Sequence, residues 1–426
     1  MQDIHLFQAF GVELEYMIVD RATLGVRPIA DALLQQAALL PGAVVEVEGH
    51  PDYPNQVELG PISWSNELTL HVLELKTSGP APALEPLADA FASDVTRINA
   101  LLAPMNAMLL PTGMHPTMDP LHEMRLWPHD YGQVYATFNR IFDCRGHGWA
   151  NLQAVHLNLP FTGADDPTDE FGRLHAAIRV LLPILPALSA STPVMDGRVT
   201  GTLDNRLEVY RTNSRRIPAA AGRVIPEPVF TAADYDRVIL QEIYRQFAPH
   251  DPDGVLRHEW ANSRGAIARF TRGAIEIRVL DVQECPAADL AIGAALTAVL
   301  RAIVDGRLGD LARLRAWPVE PLHAILLGVI KDAERSVIAD PAYLEDLGWR
   351  GGPCTAGDLW RHLVSETLAR EPQWPRYAPA ITTILDRGTL SRRILTALAD
   401  DVSPGRIADV YRELARCLAK NAQFVP

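Results

Sequence analysis

The chain has 426 residues and a formal net charge of −13, with no lysine- or arginine-rich run, which argues against nucleic acid as a partner. Its composition, 48% hydrophobic and 21% charged, is that of an ordinary globular protein with room for one large domain or two smaller ones, and no unbroken apolar run reaches the roughly 20 residues of a membrane span, residues 287–304 being interrupted by Asp289 and Arg301. The first residues lack the basic and apolar regions of a signal peptide, and Cys144, Cys285, Cys354 and Cys417 form no C-x-x-C pair, so a reducing cytoplasm is the expected location.

A strand is expected over residues 10–19. In Gly11-Val12-Glu13-Leu14-Glu15 the alternation of strand side chains puts Glu13 and Glu15 on one face and Val12, Leu14 and Tyr16 on the other. Two carboxylates sharing a face either meet solvent or need a cation between them, and hard oxygen donors suit Mg²⁺ or Mn²⁺. Further strands are expected at 43–47 and 68–77. In the second, Glu74 of Leu73-Glu74-Leu75-Lys76-Thr77 either faces solvent at an edge or adds a third carboxylate, and Glu58 and Glu67 are weaker versions of the pattern. Residues 83–102 carry a helical stripe through Leu84, Leu87, Phe91, Val95, Ile98 and Leu102. A buried strand at 108–110 ends in the turn Pro111-Thr112-Gly113, after which His115 is either ligand-facing or structural. The strand expected at 150–159 places His156 and Asn158 on one face, as a site-lining strand or a satisfied core histidine would. Residues 170–189 read as a helix bent near Pro183 and Pro186.

Residues 191–228 show little regular pattern and carry Arg206, Arg211, Arg215 and Arg216, whose forked donors match phosphate and carboxylate oxygens. A loop of that length is functional or disordered, and it is a candidate lid. In the strand expected at 274–280, Glu276 and Arg278 share a face, with Arg269 upstream. A carboxylate for a metal beside an arginine for a phosphate suits ATP-dependent acyl activation; a surface ion pair gives the same pattern. Helices are expected at 287–304, 321–338, 355–369, 375–386, 390–398 and 404–419. Helices and strands do not alternate one for one, so the fold class is α+β, a mixed sheet with a helical C-terminal third, and not a doubly wound sheet. Neither a P-loop nor a Rossmann glycine fingerprint is present.

Taken in order, G-V-E-L-E, L-E-L-K-T, P-T-G-M-H-P, Q-A-V-H-L-N and A-I-E-I-R-V-L-D resemble the glutamate–cysteine ligase type 2 family, carboxylate–amine ligases related to glutamine synthetase, over residues 10–291 and more loosely beyond. The resemblance implies a glutamine synthetase-like catalytic core over residues 1–285, with a curved, mainly antiparallel sheet and flanking helices, and a helical region over 286–426 packed on it. It implies ATP and Mg²⁺, or Mn²⁺, as cofactors, with Glu13, Glu15, Glu74 and Glu276 as metal ligands. His156 would lie near the metals or nucleotide and act in catalysis. Arg278 would meet phosphate, Arg269 would bind the cofactor, and Arg206 and Arg211 would contact phosphate or the substrate carboxylate. The implied reaction forms an amide through an acyl phosphate, transferring a γ-glutamyl group to an amino acid such as cysteine and releasing ADP and phosphate. Relatives commonly carry a second histidine two residues from the strand histidine, where this chain has Ala154 and Asn158. Two alternatives stay open: a phosphotransferase of the guanidino-kinase kind in the same superfamily, and a non-catalytic nucleotide-binding homologue. The implied partners are small amino acids or amines, and the helical third either forms a homodimer surface or packs behind the sheet.

Overall fold

Strand β1, Gly11–Asp20, is the axis on which the protein is assembled. In a computed structural model, which describes residues 4–46, 52–129, 132–162 and 168–426, it lies inside an open antiparallel sheet. The other strands are β2 (Val44–Glu46), β3 (Gln56–Glu58), β4 (Ile62–Asn66), β5 (Val72–Thr77), β6 (Ala107–Leu110) and β7 (Ala154–Pro160), then a small separate hairpin of β8 (Val194–Met195) and β9 (Arg198–Val199), then β10 (Ala266–Arg269) and β11 (Ala274–Asp281). The sheet order is β10-β11-β7-β1-β5-β4-β3-β2, and β6 pairs with the second half of β1 where β7 leaves off.

Both faces of β1 are covered, by different means. Val12, Leu14, Tyr16 and Ile18 point into the main hydrophobic core, with Phe91 and Val95 from the helix Leu87–Leu102 and Leu290 and Leu296 from the helix Pro286–Val304. On the opposite face Glu13 and Glu15 give way to Met17 and Val19, which join a second cluster with Ile394, Ile407, Val410 and Tyr411 of the helices Leu390–Leu398 and Pro404–Lys420. The C-terminal helices therefore seal one end of the face that carries the carboxylates. The helix Pro286–Val304 is long and apolar enough to cross a membrane by length and composition, yet 89% of that window is buried inside the protein, where it packs against the helices Leu87–Leu102, Glu170–Leu181 and Trp374–Arg387.

The expected elements are recovered with shifts that have local causes. The strand expected at 43–47 is Val44–Glu46, with residue 47 outside the described residues; β5 begins at Val72, and β7 at Ala154 after the single turn His147–Ala150. The helix expected at 170–189 ends at Leu181 and continues as short turns around Pro183 and Pro186, since proline cannot donate the backbone hydrogen bond of a regular helix. The stretch 191–228 is not the patternless loop expected. It holds the β8–β9 hairpin and the helix Asn205–Asn213, started by the Asp204 side chain accepting from Leu207 N at 2.8 Å, and it buries Ala219, Ala220, Ala221, Val224 and Ile225. That helix carries no apolar stripe, which is why its periodicity is silent in the sequence.

Candidate active site

The sheet register gathers the charged residues. Glu15 lies opposite Glu74 of β5; Glu13 lies opposite Lys76 on one side and His156 of β7 on the other; Asn158 lies opposite both Gly11 and Glu276 of β11. Residues paired in register point to the same face, so four neighbouring strands contribute to one charged surface. A Cβ on Gly11 would stand 2.9 Å from the Cβ of Asn158, so the glycine that opens the first motif makes room for Asn158 to reach Glu13 Oε1 at 3.1 Å.

One side of this surface is acidic. Glu15 accepts from Ala154 N at 2.7 Å, and Glu74 Oε1 accepts from Ser65 Oγ at 2.7 Å and meets Lys76 Nζ at 2.9 Å. Glu67, at the end of β4, completes a group with Glu15 and Glu74; a second group is Glu13, Glu74 and His156, and in each the ligand atoms all lie within 4.8 Å of one another. His156 Nδ1 is 2.7 Å from Glu13 Oε2, and its Nε2 is 3.7 Å from Glu15 Oε1. Burial and the neighbouring Glu74 and Glu15 push the Glu67 carboxyl well above the ordinary range, and burial also raises Glu15 against the pull of His156 and Arg206. Glu74 goes the other way: burial would raise it, but Lys76 and the Ser65 hydroxyl hold it down to about 2. Burial would lower His156, yet Glu13 and Glu15 raise it.

The other side is basic. Burial opposes the charge of Glu276, but Arg278, His156 and Arg269 hold its carboxyl below the ordinary range; Arg269 Nη1 is 3.0 Å from Glu276 Oε2 and Arg278 Nε is 3.5 Å from Oε1. A bulge in β11 brings in one more acid. Ile277 pairs with Leu157 but Leu280 with Val155, so the alternation slips by one and Asp281, opposite Ala154, joins the face of Glu276. Asp281 is fully buried and its Oδ2 accepts from Ser191 N, Ser191 Oγ and Thr192 Oγ1 at 2.8, 3.2 and 3.1 Å. Its Oδ1 lies 3.4 Å from Arg206 Nη1, and Arg206 Nη2 donates to the Arg278 carbonyl at 3.0 Å. A Cβ on Gly113 would fall 2.7 Å from Asp281 Cγ and 3.0 Å from Arg206 Cδ, so the glycine of the P-T-G-M-H-P motif gives this pair its space.

Of the sequence candidates, Glu13, Glu15, Glu74, His156, Arg206, Arg269, Glu276 and Arg278 are brought together. Arg211 is not: one turn beyond Arg206, it forks onto Glu208 at 2.9 and 2.6 Å on a partly exposed helix face. His115 is structural; buried, its Nε2 meets the Leu24 carbonyl at 2.8 Å. Glu58 pairs with Ser63 and Val44 toward the sheet edge, outside both carboxylate groups. Lys76 and Asp281 stood inside quoted motifs without a role, and Glu67 had only that of a weaker version of the Glu74 pattern. The register expected for L-E-L-K-T carried the signal for Lys76; nothing in the sequence marks the bulge that turns Asp281 inward.

The residues fit a divalent cation and an anion. Hard carboxylate oxygens converge without enough positive charge, and the raised Glu67 carboxyl records the deficit. Opposite them, the Nε atoms of Arg206, Arg269 and Arg278 are buried without a hydrogen bond, those of Arg269 and Arg278 standing 3.6 and 3.5 Å from the carboxylates of Glu259 and Glu276, and donors so placed suit an anion.

The profile of glutamate–cysteine ligase family 2 matches residues 9–413. An uncharacterized protein of Archaeoglobus fulgidus is 31% identical over 97% of this chain and 100% of its own length. A Paenarthrobacter aurescens protein, provisionally named glutamate–cysteine ligase 2-1, is 26% identical over 90% of this chain and 89% of its own. Among solved structures, the glutamate–cysteine ligase of Francisella tularensis in complex with AMP superposes with a TM-score of 0.58 at 14% identity, covering 96% of this chain and 88% of that one.

Proposed function

The chain belongs to glutamate–cysteine ligase family 2, and from that premise we propose that it is an ATP-dependent carboxylate–amine ligase that activates a carboxylate as an acyl phosphate. The observation that carries the proposal is the pairing, on one sheet face, of a cation-hungry carboxylate group with three arginines whose buried Nε donors make no hydrogen bond.

In this reading Glu13, Glu15, Glu67 and Glu74 hold Mg²⁺, with Glu276 and His156 at the border; the ion, when bound, neutralises and orients the phosphates. The substrate carboxylate attacks the γ-phosphorus of ATP, a P–O bond forms and the bond to the ADP oxygen breaks. The amine then attacks the acyl carbon, an amide C–N bond forms and phosphate leaves. Arg278, Arg269 and Arg206 bind the negative charge that builds on the phosphoryl oxygens. Glu13 orients His156 by holding its Nδ1 at 2.7 Å, and the chemistry requires that water be kept from the acyl phosphate. The carboxylate is the γ-carboxylate of glutamate or a related amino acid, and cysteine is the leading amine by family membership. Use of ATP and four unpaired, buried cysteines suit a reducing cytoplasm.

The test is phosphate release from ATP and Mg²⁺ with glutamate and a panel of amines, with mass spectrometry of the products. The expected result is an amide, with ADP and phosphate in equal amounts and no ATP consumption without a carboxylate. Failure of every amine, together with no ATP binding by calorimetry, overturns the proposal.

A further inference from the structure

Lys76 is a positive charge placed where a metal site needs none. It stands opposite Glu13 across the β1–β5 pair, and its Nζ lies 2.9 Å from Glu74 Oε1. The same oxygen accepts from Ser65 at 2.7 Å, so that half of the Glu74 carboxylate is already satisfied by protein donors. Glu74 is also the residue common to the two groups of ligand atoms, Glu13–Glu74–His156 and Glu15–Glu67–Glu74. An ammonium and a divalent ion on one carboxylate repel each other in proportion to their charges, and burial weakens the screening.

The arrangement is lopsided. Lys76 faces Glu13, which belongs to the first group alone, whereas the second group draws on Glu15 and Glu67. With His156 neutral, as a metal ligand must be, Glu13, Glu15, Glu67, Glu74 and Glu276 are set against Lys76, Arg269 and Arg278, Arg206 being shared with Asp281 and Arg269 with Glu259. Carboxylates outnumber cations, and a divalent ion offsets the excess.

We propose that Lys76 is a built-in cation that closes the Glu13–Glu74–His156 position to metal in the nucleotide-free protein, so that a single divalent ion loads at Glu15–Glu67–Glu74 and a second enters only with nucleotide. This rests on the metal-dependent ligase reading and adds to it an order of loading. Bound phosphates offer Lys76 other oxygens and release Glu74.

The test counts Mn²⁺ bound to the full chain, by calorimetry and by electron paramagnetic resonance of free and bound ion. Wild type should bind one Mn²⁺ alone and two with a non-hydrolysable ATP analogue. Lys76→Met should bind two without nucleotide, the pair giving the broadened spectrum of coupled spins; Lys76→Arg should keep the wild-type count. Lys76→Gln serves where the Met variant does not fold, as judged by circular dichroism. Adding Glu13→Gln to the Met variant should remove the second ion alone. One ion in both wild type and Lys76→Met, or two in nucleotide-free wild type, overturns the role of Lys76 and leaves the ligase reading standing. No Mn²⁺ on wild type with or without nucleotide overturns both.

Discussion

The acidic and basic sides of the site are made from the same sheet face, yet they hold charge in opposite ways. On β1, β4 and β5 the carboxylates outnumber their partners, and Glu67 and Glu15 are pushed toward the protonated form. On β10, β11 and the helix Asn205–Asn213, Glu276 and Asp281 are ringed by Arg269, Arg278 and Arg206. His156 sits on the border, 2.7 Å from Glu13 and 4.0 Å from Glu276. The difference teaches how one face can take a cation and a polyphosphate together: each side lacks what the other kind of ligand brings.

Perturbing each side separately tests that division. The largest effect is expected from Arg278→Met on the basic side, a loss of about 10²–10³-fold in kcat, as when a donor aimed at transition-state charge is removed; a rate near wild type in steady-state assays would break the assignment. Next comes Gly113→Ala, whose Cβ crowds Asp281 at 2.7 Å and Arg206 at 3.0 Å. Misplacing Arg206 should cost ~10–100-fold in kcat with little change in circular dichroism.

On the acidic side the sign of a stability effect reverses. A carboxyl whose folded pKa is raised, as Glu67 is, contributes stability at low pH that is lost as pH rises through the raised value. Glu276, held low, contributes stability that is present above the ordinary carboxyl range and lost as pH falls. Glu67→Gln should therefore raise the Tm of metal-free protein at alkaline pH, by about 2 °C, and weaken Mn²⁺ binding; Glu276→Gln should lower Tm there. Thermal unfolding in a chelator across the pH range checks both, and equal signs would erase the contrast. Arg211→Ala should do least, within about 0.5 kcal/mol in stability and less than about twofold in kcat, since its i,i+3 pair with Glu208 is partly exposed.

Much of the site was legible because strand alternation is a strict rule. Glu13 with Glu15, His156 with Asn158, and Glu276 with Arg278 each announce a shared face, and each pair does share one. Glu67 was hard to weigh because it follows β4 at a turn, where no alternation fixes its direction. Strands β3 and β4 were missed because three- and five-residue strands around the Gly60-Pro61 turn leave too short a pattern. Arg206 was grouped with Arg211 because a helix without an apolar stripe hides which arginine points inward; the buried Asp281 settles it. In the helical C-terminal third the 390–398 helix was read to the residue, because amphipathic surface helices carry the clearest period, whereas the helix expected at 321–338 ends at Asp332 and Val337–Ile338 is a short strand.

The bulge in β11 has a consequence for how this chain can vary. Between Ile277 and Leu280 the strand spends one residue more than its partner, and that single count decides which side of the sheet Asp281 meets. Substitutions at positions 278 and 279 leave the count alone. Loss or gain of one residue there does not: it exchanges inside for outside for the rest of the strand, drives Asp281 toward the apolar core and strands Arg206 without its carboxylate. Arg278 apart, this stretch can change its letters far more readily than its length.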